Sequence, residues 1–188
     1  GPFTFAPDGN PLVGPVTKLP GFWCACGVMA GFSQGGGVGL ALANWMIDGD
    51  PGADVFAMDV ARFGSWATPA YTHDKVKENY ARRFSIRYPN EELTAGRALK
   101  TTPVYDRMYA AGAQFGAAWG LETPLWFAPA GVSDAFSWRR STDFEHVAAE
   151  CRAVREGVGM METSSFAKYT VTGTGALAWL DRMLAARI

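Results

Sequence analysis

The apolar positions of this chain change their period twice within the first fifty residues. Residues 22–26, Phe-Trp-Cys-Ala-Cys, form an unbroken apolar run, which reads as a short buried strand. Further on, Val38, Ala41, Leu42 and Trp45 stand three, four and seven apart, and that spacing predicts a helix over 38–47. Gly49 and Pro51 follow where a helix stops. Between strand and helix lies a stretch, 27–39, with glycine at 27, 31, 35, 36, 37 and 39. Glycine costs backbone entropy, so such a run makes sense only where a Cβ would be in the way. Either a ligand lies flat on the backbone or a neighbouring element packs very close. A helix start after the loop offers unpaired N–H groups and a partial positive charge, suited to an anion or an electron-rich carbonyl. The run is not the dinucleotide fingerprint, because Leu40 takes the place of the last glycine. A pyrophosphate cradle is therefore not expected here.

The remaining pattern predicts an alternation of short elements. Phe3, Thr4 and Phe5 face Leu12 and Val13 across a turn at 6–10 and read as a hairpin, followed by a proline-rich connection at 14–20. Residues 54–63 read as irregular, and 64–69 break the pattern. Thr72 is placed to cap a helix reaching about residue 84, with Val76, Tyr80 and Phe84 as its apolar stripe. Lys75, Lys77, Arg82, Arg83 and Arg87 make that segment basic, which reads as a solvated face. Thr102-Pro103 has the form of an N-cap followed by proline at the first helical position, opening a short helix through Tyr109. Residues 112–115 and 125–127 read as short strands, with Tyr105, Trp119 and Trp126 expected in the core. Thr142 and Glu145 have capping-box spacing before a helix with Phe144, Val147, Cys151 and Val154 on one face, stopped at Gly157. Ala167, Tyr169 and Val171 alternate with polar residues as in a half-exposed strand. Thr174 is expected to cap a last helix carrying Leu177, Leu180 and Leu184.

Composition narrows the function classes. The 188 residues are 48% hydrophobic and 19% charged with a net charge of −1, values of a core-forming globular chain with no electrostatic case for nucleic acid or an anionic membrane. No window of about eighteen apolar residues is present to span a membrane. Cys24, Cys26 and Cys151 read as small buried apolar residues in a reducing compartment, the cytoplasm or, in a eukaryotic cell, the mitochondrial matrix. His73 and His146 are isolated, and no metal set is evident. No serine, histidine and aspartate stand in a nucleophile context. Asp134, Asp143, Glu145 and Glu150 read as surface acids. The chain begins without methionine and ends at Ile188 within a helical pattern, so the expectation is an internal piece of a longer protein.

Several stretches together carry a resemblance. Residues 7–14 (Pro-Asp-Gly-Asn-Pro-Leu-Val-Gly), the glycine loop at 26–39, Asn44-Trp45-Met46-Ile47 and 54–63 resemble the end of the flavin domain of the dimethylglycine and sarcosine dehydrogenases. Residues 102–127 resemble that family's small linker domain. Residues 152–159, 162–169 and 171–176 resemble the opening of its folate-binding aminomethyltransferase domain, with Glu162 where relatives commonly have Asp. The resemblance implies a mixed α+β fold in three units, 1–63 from the FAD-dependent oxidoreductase domain, 64–134 a central linker, and 135–188 the start of the aminomethyltransferase-like domain. It implies FAD and tetrahydrofolate as cofactors, and oxidative N-demethylation of a small methylated amine, dimethylglycine or sarcosine. Oxygen or an electron-transfer partner would serve as final oxidant. It also places Gly27, Val28, Met29, Ala30, Gly31, Phe32 and Ser33 against the flavin ring, assigns no catalytic residue in this stretch and calls for no metal. The rival readings are a stand-alone aminomethyltransferase, a flavin amine oxidase of another substrate class, and a non-catalytic linker whose glycines only pack.

Overall fold

The computed structural model describes residue 2 and residues 4–186. Its architecture is α+β, with two separate two-stranded antiparallel sheets and helices laid against them. Strand β1 (Leu12–Pro15) pairs with β2 (Trp23–Cys26) in the register Leu12↔Cys26 to Pro15↔Trp23. On its other side, Val13 donates its N–H to the Met58 carbonyl at 2.8 Å. Val13 is thus flanked on both sides by backbone, and it is 1% exposed. Among the described residues the hairpin expected between 3–5 and 11–13 is not seen. Phe3 lies outside the described residues, and Leu12 and Val13 pair with residues 25 and 26 instead. The turn at 6–10 survives, closed by the Gly9 N–H on the Ala6 carbonyl at 2.9 Å.

Helix α1 (Gly31–Asp48) ends as its sequence requires, with Gly49 left-handed at φ 77° and donating to the Trp45 carbonyl. It buries Val38 and Ala41, two of the positions whose spacing predicts it. Its start differs from the expectation, because the helix takes in the glycines from Gly31 onward. Glycine is about 1 kcal/mol poorer than alanine in a helix, yet adding a residue to a formed helix gains a hydrogen bond without a new nucleation penalty. The well-formed segment at 38–47 can therefore extend backward. Trp45 anchors the helix on the hairpin. It meets Trp23 edge-on at 6.3 Å and lies over Gly14, where a Cβ would come within 2.6 Å of its ring.

A turn of 3-10 helix (Val60–Arg62) leads to α2 (Pro69–Ala81). Thr68 caps α2, its hydroxyl accepting the Tyr71 N–H at 3.2 Å, with Pro69 at the first helical position. The cap is therefore Thr68 and not Thr72. The expected apolar stripe is also inverted. Tyr80 and Phe84 are exposed, while Lys75 and Asn79 are buried. The segments that cover the helix present polar atoms, so the polar face is the one that fits. Asn79 donates to the Pro7 carbonyl at 2.9 Å, and Lys75 to the Leu93 carbonyl at 2.7 Å. Glu78 accepts the N–H groups of Thr94 and Ala95 at 2.9 and 3.0 Å. The basic segment is thus not a uniformly solvated face, since Arg82 also pairs with Glu91.

Helix α3 (Tyr105–Ala110) starts after Val104, and Thr102 does not cap it. The Thr102 hydroxyl is buried without a hydrogen-bond partner among the described residues. Strands β3 (Ala113–Ala118) and β4 (Leu121–Phe127) form a hairpin. It closes through Trp119 and Gly120, both at positive φ, 52° and 76°, the twist that two-residue hairpin turns favour. A register shift at Gln114/Phe115 accommodates Pro124 within the strand. Trp126 is core as expected at 3% exposure, and Tyr105 packs against Phe115 at 4.5 Å. Trp119 is not core. The turn holds it outward, against Phe56 at 4.9 Å.

Helix α4 (Phe144–Glu156) stops at Gly157. Its capping box does not close, because the Thr142 hydroxyl donates to the Ala135 carbonyl instead. Glu150 accepts the Phe127 N–H at 2.9 Å and His146 stacks on Trp126 at 5.4 Å, which fastens the helix to β4. Its apolar face is largely uncovered, with Phe144, Val154 and Cys151 exposed. Cys151 is therefore not the buried residue expected, and Cys24 and Cys26 are only half-buried. Residues 167–172 form no strand, since no other strand among the described residues offers them a ladder. Helix α5 (Ala176–Met183) follows Gly175 without a side-chain cap, so Thr174 does not cap it. Ile188 lies outside the described residues.

The anchorage of α2 carries a pH dependence. Burial alone would raise the Glu78 carboxyl, but hydrogen bonds from Ala95, Lys75 and Thr94 outweigh it and hold the pKa below its ordinary 4.5. A carboxylate lowered by folding contributes stability that is complete above its unfolded value and lost as pH falls through the folded one. Acid unfolding should therefore show a component below about pH 4.5 that Glu78→Gln removes. A variant whose thermal midpoint falls with acid as steeply as that of the parent would refute it.

Candidate cofactor-facing loop

Strand β2 delivers the chain to the loop at Gly27, which is left-handed at φ 68°. Its Cβ direction faces Asn10, Pro11 and Leu12 at ordinary contact distances of 3.8–3.9 Å. The backbone conformation, and not crowding, is what requires glycine there. The Met29 N–H then closes on the Gly27 carbonyl at 2.9 Å. Ala30 stands at the N-cap of α1 with no side-chain cap, and no acidic residue occupies the first turn. Ser33 and Gln34 both donate backbone N–H to the Ala30 carbonyl, at 3.0 and 2.9 Å, and the Ser33 hydroxyl bonds to the same oxygen at 3.0 Å. The helix start thus faces outward with its partial charge uncompensated by any side chain. Phe32 beside it is fully exposed. Gly27, Val28, Met29, Ala30, Gly31, Phe32 and Ser33 form one continuous turn from the end of β2 into α1.

The glycines that follow sharpen the choice between ligand and packing. A Cβ added at Gly31, Gly35, Gly36, Gly37 or Gly39 would meet nothing within 4 Å. Close packing among the described residues therefore explains none of these five. Gly14 and Gly120 contrast with them, because each lies under a tryptophan ring that a Cβ would strike. Packing glycines and open glycines both occur in this chain, and the helical run belongs to the open kind.

The other candidate groups are placed elsewhere. Burial, then the neighbouring Cys24, pushes the Cys26 thiol up, so it stays protonated at neutral pH. His73 is exposed and 3.0 Å from Asp74, and His146 is held by Trp126. Asp134 is exposed, as expected of a surface acid, and partial burial and then Asp143 raise its pKa. Among the described residues no group of three or more His, Cys, Asp or Glu could hold a metal ion. No helix among the described residues is long and apolar enough to cross a membrane.

Sequence reasoning missed a cavity of about 500 Å³ whose walls include Asp8, Arg62, Tyr71, Arg97 and Glu122. The Arg62 side chain, 0% exposed, grips Asp8 through two nitrogens at 2.7 and 2.9 Å. Arg97 grips Glu122 in the same two-pronged way, at 2.9 and 2.5 Å. Asp8 and Arg62 are 54 positions apart, so no local spacing announces the pair. The one available signal was an arginine and an aspartate inside two stretches that otherwise follow a family pattern.

Residues 48–102 match the FAD dependent oxidoreductase central domain, and residues 104–188 match the GCVT N-terminal domain. The chain is 34% identical over 187 residues to dimethylglycine dehydrogenase, mitochondrial, of Mus musculus, covering 98% of this chain and 22% of that protein. It is 37% identical over 184 residues to 4-methylaminobutanoate oxidase (formaldehyde-forming) of Paenarthrobacter nicotinovorans, covering 94% and 22%. It is 30% identical over 217 residues to sarcosine dehydrogenase, mitochondrial, of Homo sapiens, covering 100% and 24%. The chain spans under a quarter of the length of these curated relatives.

The open helical face gives a direct test. Gly36→Ala should stabilise the flavin-free protein by roughly 0.5–1 kcal/mol, the difference in helix propensity. Urea unfolding checks it. A loss of stability would reveal a packed neighbour at Gly36.

Proposed function

We propose, from the premise that the chain belongs to the family of FAD dependent oxidoreductases that includes the dimethylglycine and sarcosine dehydrogenases, that it supplies the flavin-ring wall of an N-demethylating enzyme and the start of the domain receiving the one-carbon unit. The observation that carries this reading is the open glycine face of α1, adjoining an uncapped helix start and an exposed phenylalanine. Those features fit an aromatic ring system with electron-rich carbonyls. The missing Cβ atoms leave room for a flat ring, and Phe32 offers it apolar surface.

The reaction proposed is removal of a hydride from an N-methyl carbon of a small methylated glycine, leaving an iminium whose one-carbon unit passes to tetrahydrofolate. FAD, when bound, supplies the hydride acceptor. The residues of this chain bind and orient. Gly27 turns the backbone out of β2, so that 28–33 face the ring. The partial positive charge at the start of α1 favours negative charge gathering on a nearby carbonyl by about 0.3–1 kcal/mol. No residue of this stretch is assigned a proton transfer. The activity is proposed for the whole flavoprotein. Its division into units at 1–63, 64–134 and 135–188 belongs to the same reading. Limited proteolysis should cut near 64–69 or 129–134, and cuts confined to helices would refute the division.

A second reading rests on the similarity to 4-methylaminobutanoate oxidase (formaldehyde-forming). There the substrate is a longer N-methylated amino acid, oxygen is the oxidant, and the one-carbon unit leaves as formaldehyde. Assaying released formaldehyde with and without tetrahydrofolate separates the two, since only the first reading makes its yield fall when folate is added.

The loop assignment is tested by Gly31→Val in the intact flavoprotein. Space for the new side chain is open, so the thermal midpoint should stay near that of the parent. Flavin occupancy should fall, or single-turnover reduction should slow by about 10-fold to 100-fold, as for a small misplacement of reacting groups. A variant with normal flavin loading and an unchanged reduction rate would defeat the assignment.

A further inference from the structure

We infer that Arg62 is a positioning residue for the flavin-facing loop, acting through the turn at Asp8–Asn10. The inference rests on the reading of that loop given above and names the part of the fold that sets its place. Arg62 lies at the end of the 3-10 turn, with its side chain wholly buried. Its Nε and Nη2 donate to the two oxygens of Asp8, at 2.7 and 2.9 Å. Nη2 also donates to the Asn10 carbonyl at 3.2 Å, and Nη1 to the Asp59 carbonyl at 2.9 Å. The guanidinium is further fixed over the Phe63 ring, 4.6 Å from its centroid. A planar fork with this many partners has one geometry, which a lysine does not reproduce.

The part held is the surface on which the loop begins. The same Asn10 carbonyl, with Pro11 and Leu12, forms the floor under Gly27. Asp8 keeps the turn in shape from within, since its Oδ1 accepts the Asn10 N–H at 3.1 Å as well as the Arg62 bond. Met58 accepts the Val13 N–H at 2.8 Å and the adjacent Asp59 forms a parallel bridge with Val13, which brings the 3-10 turn alongside β1. The connection thus runs from Arg62 to Asp8 and Asn10 by hydrogen bonds, and from Asn10 along the chain to Leu12, which pairs with Cys26 next to Gly27. Here the arginine fixes a side chain and two backbone carbonyls, one of which lies under the loop.

The test uses the intact flavoprotein and readouts that do not depend on its substrate. In Arg62→Lys the charge remains and the fork is lost. The visible flavin spectrum should shift, and affinity for sulfite should weaken about ten-fold. Sulfite adds negative charge to the flavin and so reads how well the loop and helix start hold that charge. Asp8→Asn, a milder change at a partly exposed residue, should move both readouts in the same direction by a smaller factor. A lower thermal midpoint with parental spectrum and sulfite affinity in both variants would reduce Arg62 to a structural ion pair and overturn the inference. If Arg62→Lys does not accumulate as folded protein, Asp8→Asn decides by the same readouts. Gly31→Val separates the two levels of the argument. If it leaves spectrum and sulfite affinity unchanged, the loop reading fails. If it alters them while Asp8→Asn does not, only the role of Arg62 falls.

Discussion

Arg97 carries the junction on which the rest of the arrangement depends. It comes from the segment matching the FAD dependent oxidoreductase central domain, and its main partner Glu122 from the segment matching the GCVT N-terminal domain. The guanidinium spans both Glu122 oxygens, donates to the Phe115 carbonyl at 2.7 Å, and lies 3.6 Å from Glu92. Glu122 is 2% exposed, and its N–H is taken by the Lys100 carbonyl at 2.8 Å. The hydrogen bonds to Glu122, against the opposing effect of burial, raise the Arg97 pKa and keep it charged. A buried pair of this kind adds little over a well-packed apolar pair, yet removing one partner typically costs about 3–5 kcal/mol. It works as a constraint on geometry. Arg97 thereby ties the β3–β4 hairpin to the segment before it.

Hydrogen-bonded charges recur at other joins between segments. Arg62 holds Asp8, Lys75 and Glu78 hold the loop at 93–95, and Arg82 holds Glu91. The fully buried apolar set is short and made largely of small residues, with Val13, Val38, Ala41, Ala113 and Trp126 among its members. Apolar burial is non-directional and cannot by itself choose among similar packings. Hydrogen-bonded charges are directional, and a misfit leaves a buried charge unpaired. Burial therefore holds the hairpins and α1 together locally, while the ion pairs fix how separate segments are joined.

This division explains what could be read from the sequence. The strand at 23–26 (though half-exposed and not buried as expected), the stop of α1 at Gly49, the stop of α4 at Gly157 and the core place of Trp126 each follow from one residue and its near neighbours. The family-like stretches also singled out residues 27–33 for the flavin, which stands as the proposal argued above. The polar clasps were invisible, because Asp8 and Arg62, or Arg97 and Glu122, meet only after folding. Local rules failed where two sites competed for one device. Thr68-Pro69 and Thr102-Pro103 have the same capping form, and only the first is used. The stripe on α2 misled because the helix is covered by carbonyls and carboxylates, which favour Lys75 and Asn79 over Tyr80. The strand expected at 167–172 shows the remaining limit, since alternation describes two faces but supplies no partner strand.

The glycines of α1 join these themes. A helix gains from every Cβ it can carry, and the described residues put nothing in the way of one at Gly31, Gly35, Gly36, Gly37 or Gly39. Stability alone would therefore favour alanine at each position. The face is less stable than its own surroundings would allow, whereas the other end of the same helix is finished by Trp45 and the Gly49 cap. A rigid, well-anchored C-terminal half and a bare N-terminal half suit a helix that must present backbone at close range to something lying across its start. Rigidity comes from Trp45 on the hairpin, and closeness from the missing side chains. The floor of the loop comes from a turn that Arg62 holds from inside. Trp45, the side chain that anchors the helix, stands at one end, and the glycines at the other.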